Sequence, residues 1–253
     1  MGLKMASAAN AMHTKTAGRQ GLATLGVALL LAVAGYCALF VAPTEATMGL
    51  IQRIFYFHVP FGWTAFVAFF ISFISSIAYL RSRAPRWDWL AVSSAEVGVP
   101  FVTVLLVTGP IWAHPVWGIW WTWDARLTST FVLWVLYVCY LLLRTLIDEP
   151  ERRAVVSAVF GIFAAFDVPL VYFSIWFFRT QHPQPVLGAG GSLDPRMLDV
   201  LLLCWAATLA LLALLLPQRY RLEALRWEVE RLRSGGESHL QDELSPLNKV
   251  RSI

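Results

Sequence analysis

Residues 21–42 read GLATLGVALLLAVAGYCALFVA, a run long enough to cross a bilayer core, which needs about 20 mostly apolar residues per spanning helix. Five further runs, at about 62–80, 89–109, 128–147, 154–176 and 198–216, are each long enough to span with some tilt. A transmembrane barrel would instead show segments of about ten residues in strict alternation, a pattern this sequence lacks. The expected class is an all-α membrane protein built as a bundle of six transmembrane helices. Composition agrees: of 253 residues, 58% are hydrophobic and 14% charged, against roughly 25% charged in an average soluble domain.

The net charge of +4 points to membrane orientation rather than to nucleic acid, because the charges flank the apolar runs. Lys4, Lys15 and Arg19 precede the first run. Arg81, Arg83 and Arg86 follow the second, Arg144, Arg152 and Arg153 join the fourth to the fifth, and Arg219, Arg221, Arg226, Arg231 and Arg233 follow the sixth. All of these alternate onto one face, and Arg53, Arg126, Arg179 and Arg196 fall on the other. The positive-inside rule then puts both termini in the cytoplasm. Residues 1–20 read as a cytoplasmic tail, 21–216 as the membrane domain and 217–253 as a cytoplasmic helix and tail. The first run is longer than the 7–15 apolar residues of a cleaved signal, so it reads as a retained span. Cys37, Cys139 and Cys204 all fall inside spans without C-x-x-C spacing, which favours small apolar residues over thiol exchange or a metal cluster.

Function should be sought in the three outer loops, at about 43–61, 110–127 and 177–197. The first carries Met48, Ile51, Ile54 and Phe55 at helical spacing, an amphipathic segment ahead of His58. Pro60 suits the first turn of the second span. The third contains a glycine cluster, Gly188 to Gly191, which predicts a mobile stretch. After the last span, Leu222, Leu225, Val229 and Leu232 predict a short amphipathic helix, either a surface-lying extension of the sixth span or a partner-docking face. Beyond Ser234 the chain reads as loose.

The second outer loop, PIWAHPVWGIWWTWDARLT, holds Trp112, Trp117, Trp120, Trp121 and Trp123, five of the twelve tryptophans in the chain. An aromatic belt at the membrane surface accounts for Trp63, Trp87, Trp89 and Trp176. It needs no such density in one loop, where Trp117, Trp120 and Trp121 would share a face of a short helix. Flat ring surfaces side by side at an apolar boundary suit a flat, apolar ligand with a polar edge, and porphyrin is such a ligand.

The pattern W-G-x-W-W-x-W-D-x-R-L-T, Trp117 through Thr128, resembles the signature of the haem-handling proteins of cytochrome c biogenesis. F-Y-F-H-V-P at Phe55 to Pro60, the six spans and a histidine in the last outer loop fall in the order of the six-span haem exporter protein C (CcmC) family of system I maturation. The resemblance implies that His58 and His182 supply the two axial ligands of a haem b held transiently and non-covalently, with the tryptophan loop along the macrocycle. Two neutral imidazoles can occupy both axial positions of haem iron. The chain lacks C-x-x-C-H, so covalent haem attachment is not expected. Each histidine is close to a proline, His58 before Val59-Pro60 and His182 before Pro183, which limits the local backbone. Taken alone, either histidine reads as a polar loop residue.

Haem propionates call for cationic partners, for which Arg53 and Arg126 are the candidates; their bland reading is a snorkelling or loop-capping arginine. Asp124 reads as a brace of the loop, through Arg126 or backbone amides. His114, where the family more often has lysine, is either a competing ligand or a donor near a propionate. Trp176 to Gln181 also departs from the family's better-known form, which has paired tryptophans and an asparagine before the histidine.

Glu96 and Asp167 lie within spans and read as proton or conformational couplers, or as buried hydrogen-bond partners. Pro100 and Pro169 predict kinks in the same helices. The resemblance implies a handover protein rather than an enzyme, working beside a periplasmic haem chaperone, ATP-binding-cassette transporter subunits and a small single-span subunit, among membrane lipid. The chain carries no G-x-x-x-x-G-K-[ST] loop of its own. Two other functions fit less of the sequence: a transporter moving haem through its own helices, and a structural assembly subunit anchored by its tryptophans.

Overall fold

The computed structural model describes residues 2–178, 180–182 and 193–250, and within them the side chains from 18 to 233. The Gly188 to Gly191 cluster, Arg179 and Pro183 lie outside the described residues. The chain is an all-α membrane protein. Among the described residues six helical stretches are long and apolar enough to cross a membrane: Gly18–Val41, Leu50–Ser82, Pro85–Trp117, Ala125–Thr145, Pro150–Phe177 and Pro195–Arg233.

The helices are α1 (Gly2–Tyr36), α2 (Phe55–Ser82), α3 (Pro85–Trp117), α4 (Ala125–Thr145), α5 (Pro150–Ala165), α6 (Asp167–Phe177) and α7 (Pro195–Val250). A π-turn at Cys37–Val41 closes α1, and a 3₁₀ turn at Leu50–Ile54 leads into α2. Arg83 adopts a left-handed conformation, φ 56°, and Pro85 opens α3, so α2 and α3 fold back on one another across a two-residue turn. Proline suits that first position because its missing N–H would have had no helical partner.

Helices in lipid are held by close packing more than by apolar burial, and the contacts here depend on small residues. A Cβ added at Gly98 would sit 2.6 Å from Cε1 of Phe69, and one at Gly161 would sit 3.1 Å from Cε2 of Tyr140. Phe69 can therefore lie against α3 and stack on Tyr137 of α4, with ring centroids 3.7 Å apart. Leu133, Tyr140 and Val102 complete this core. A second cluster, with Ala34, Ala38, Leu201 and Ala207, joins α1 to α7. The three cysteines are free thiols.

The arginine-rich end is clamped by ion pairs. Arg144 of α4 grips Asp88 of α3 through two bonds of 2.6 and 2.8 Å, and Arg153 of α5 reaches Glu230 of α7 at 2.8 Å. Glu96 of α3 accepts from Nε of Arg219 at 2.7 Å and also from its Nη2. Glu96 is thus one half of an interhelical pair. Asp167 is buried, and among the described residues its Oδ2 has no hydrogen-bond partner.

Several boundaries differ from expectation. Pro60 is inside α2 rather than in its first turn, because the 3₁₀ turn feeds straight into a helix starting at Phe55. The fifth span is two helices meeting at Phe166, where the ring of Pro169 crowds the Ala165 carbonyl and cannot donate to it. Helix α7 continues from the sixth span to Val250, beyond the Ser234 at which loose chain was expected. Leu222, Leu225, Val229 and Leu232 are all exposed along it.

A cavity between two histidines

His58 is in the first turns of α2, and His182 is in the segment after α6. Their rings approach to a centroid separation of 6.5 Å with planes inclined by 30°, and both line a cavity of about 920 Å³. The seat of His58 is made by α3. Its Nδ1 lies 2.9 Å from Thr108 Oγ1, and Gly109 leaves the ring its space, since a Cβ there would be 3.3 Å from His58 Cε1. His182 follows a local turn in which its backbone N–H donates to Thr180 Oγ1 at 3.1 Å.

Trp112, Trp117 and Trp121 line this cavity, whereas among the described residues Trp120 and Trp123 do not. The expected short helix bearing Trp117, Trp120 and Trp121 on one face is not formed. Instead α3 runs on through Pro110 and Pro115 to Trp117, and Gly118, at φ +77°, ends it by donating to the His114 carbonyl at 2.9 Å. A left-handed C-terminal residue stops a helix, and glycine adopts it without a Cβ penalty. Residues 118–124 therefore leave the helix. Trp112 and Trp117 meet edge to face at 5.1 Å, while Trp120 is 58% and Trp123 74% exposed. Trp123 belongs to a separate apolar groove of about 410 Å³, with Phe131 and Trp134, which shares Trp121, Leu106 and Pro110 with the cavity.

Of the two candidate arginines, the structure brings only Arg126 to the cavity. The Arg53 guanidinium donates to the carbonyls of Ala38 and Ala42, both at 3.3 Å, and to that of Leu39. These are the carbonyls left without partners at the end of the first span, and a cation suits a helix C-terminus. Arg53 is thus a helix cap, not a cavity residue. Arg126 is half-buried, and among the described residues its Nη1 has no hydrogen-bond partner. The same holds for Nε1 of Trp121. Buried donors of this kind are costly unless something accepts from them.

Asp124 braces the loop through backbone amides. As the N-cap of α4 it accepts from the amides of Arg126 and Leu127 with Oδ1 and from the Thr122 hydroxyl with Oδ2. His114 stacks on Trp120 with centroids 4.3 Å apart, away from the lining of the cavity among the described residues.

Sequence reasoning missed two aromatic cavity residues and the hydroxyl that seats His58. Trp63, assigned to the aromatic belt, and Trp205 form an edge-to-face pair at 5.1 Å and line the cavity together. Trp205 lies mid-span, where a belt residue would not, and that position was the available signal. Thr108, one of two hydroxyls in the apolar run TVLLVTG, could have been noticed in the same way.

The cavity residues fit haem. Two imidazoles bound about 2 Å from one ion have ring centroids roughly 6 Å apart, close to the separation here. The indole walls are flat and apolar, and the orphaned donors of Arg126 and Trp121 suit a carboxylate edge.

Comparison with known proteins follows the same direction. Residues 3–234 match the family described as "Heme exporter protein C". The chain is similar to the "Heme exporter protein C" of Bradyrhizobium diazoefficiens, 34% identical over 206 residues, covering 81% of this chain and 78% of that one. It is 30% identical to the protein of the same name from Haemophilus influenzae over 205 residues, 80% and 83% of the two chains. A mitochondrial ccmC-like protein of Marchantia polymorpha, named for cytochrome c biosynthesis, is 32% identical over 179 residues, 70% of this chain and 76% of its own.

Proposed function

The chain belongs to the haem exporter protein C family, and from that membership we propose that it holds haem b non-covalently between His58 and His182 for delivery in cytochrome c assembly. The names of its relatives tie the family to haem export and cytochrome c biosynthesis. The observation that carries the reading is the approach of two imidazoles to 6.5 Å across one cavity. His58 and His182 would hold the iron through neutral imidazole nitrogens, and Trp112, Trp117 and Trp121 would offer flat apolar surfaces to the macrocycle. Arg126 would pair with a propionate, and the Trp121 N–H would donate to the same polar edge. Trp120 and Trp123, more exposed, would close over the ligand or meet its recipient.

The arginine distribution supports a setting in the inner membrane with both termini cytoplasmic and the histidines outside. There the haem would be presented to a periplasmic haem chaperone. Any ATP-driven step would belong to transporter subunits beside this chain, with a small single-span protein as a further partner, because the sequence holds no nucleotide loop. The chain makes and breaks no covalent bond in this reading.

Purified protein is expected to carry haem with an intense Soret band, lost in His58→Ala and in His182→Ala. Retention of the wild-type spectrum in both variants would overturn the ligand assignment. Haem movement by this chain alone in sealed vesicles would favour a transporter instead.

A further inference from the structure

We infer that Thr108 fixes the tautomer of His58, holding its proton on Nδ1 so that Nε2 keeps the lone pair for a metal. The inference rests on the reading of His58 as an iron ligand, and it assigns Thr108 as a positioning residue for that ligand.

Thr108 Oγ1 lies 2.7 Å from the Val104 carbonyl and 3.3 Å from that of Leu105. A carbonyl can only accept, and a hydroxyl has one proton to give. That proton is therefore directed to the helix backbone, as is common for threonine in a helix. What Oγ1 presents to His58 Nδ1, at 2.9 Å, is a lone pair. The short contact then requires an N–H on Nδ1. A neutral imidazole has only one such proton, so Nε2 is bare.

The surroundings hold this arrangement in place. Both bonds of the threonine are anchored on the rigid helix α3. The adjacent residue is Gly109, where a Cβ would approach His58 Cε1 to 3.3 Å, so the ring lies directly over this turn of α3. A histidine ligand that donates its other nitrogen to a fixed acceptor is oriented, locked in one tautomer and made more basic. Valine at 108 would keep the shape and remove the hydroxyl that faces Nδ1, weakening the preference for a proton there.

The test uses the full-length protein in lipid, labelled with ¹⁵N-histidine, with the His58 signals assigned by their loss in His58→Ala. In haem-free wild type, solid-state NMR is expected to show Nδ1 protonated and Nε2 bare. In Thr108→Val the proton should move wholly or partly to Nε2, and Thr108→Ser should restore the wild-type pattern. Titration with haemin should show affinity falling about ten- to hundredfold in Thr108→Val, the usual range for losing such a partner, with recovery in Thr108→Ser. A proton found on Nε2 in the wild type would overturn the inference at once, even if the valine variant failed to fold. An unchanged tautomer in a folded Thr108→Val would also overturn it. The two readings fail separately. Should His58→Ala lose haem while Thr108→Val matches wild type in both measurements, the ligation would stand without Thr108. Should His58→Ala keep its haem while Thr108→Val moves the proton, the tautomer assignment would stand and the ligation would fall.

Discussion

Asp124 caps the helix that carries Arg126: its Oδ1 accepts the Arg126 amide at 2.9 Å, while the Arg126 side chain lies along the histidine cavity. The acid thus serves the backbone of its neighbour, and the guanidinium keeps a donor for something else. Removing the two residues should have different consequences. Arg126→Gln is expected to weaken haemin binding about ten- to hundredfold, the worth of a charge-assisted hydrogen bond of about 1.5–3 kcal/mol, with partial recovery in Arg126→Lys. Titration with haemin dimethyl ester checks the cause, since the esterified ligand should bind wild type and Arg126→Gln alike. Asp124→Ala should instead lower stability by about 1 kcal/mol, the usual loss of an N-cap, read as a drop in thermal midpoint in haem-free protein. An equal loss of ester binding in Arg126→Gln would remove the arginine from the propionate.

The contact of Gly98 with Phe69 makes a second prediction. Because a Cβ at 98 would be 2.6 Å from the ring, Gly98→Ala must displace Phe69 from its stack on Tyr137. Overpacking of this sort typically costs about 1–3 kcal/mol. Phe69→Leu would lose the stack but relieve the clash, so in that background Gly98→Ala should cost much less. A double-mutant cycle on thermal stability measures the coupling, and additive effects would mean that the two helices do not meet there.

Acid should release the haem. The neutral imidazole is the ligand. Ligation favours the unprotonated form, so binding is fully present while both imidazoles are neutral and declines as either gains a proton. Haemin affinity should fall on acidification, at most about a hundredfold per pH unit if both imidazoles must lose a proton. Titrations from neutral pH down to the pH at which the haem-free protein unfolds give the slope. Affinity constant over that whole span would argue against imidazole ligands.

Much of the architecture was legible along the chain. Six apolar lengths announced six spans, and Pro169 marked the break in the fifth. The third apolar run reads as ending near 109, but α3 continues through Pro110 and Pro115, since proline is tolerated in membrane helices whose neighbours supply the missing contacts. The actual stop is Gly118, which only its positive φ reveals. The crowd of tryptophans pointed to a planar ligand but did not separate the wall residues Trp112, Trp117 and Trp121 from the exposed Trp120 and Trp123. Arg53 and Arg126 read alike for the same reason. Each is an arginine near an outer loop, and their different fates depend on which carbonyls lie within reach.

The order of the residues alone determined that this chain spans a membrane as helices, because an apolar run long enough to cross is a local property that needs no partner. It did not determine which polar atoms meet. Two histidines more than a hundred positions apart, a threonine hydroxyl on a third element and one arginine of two came together only through the packing of α2, α3, α4 and α6, since a distance between side chains on separate helices is set by how those helices touch.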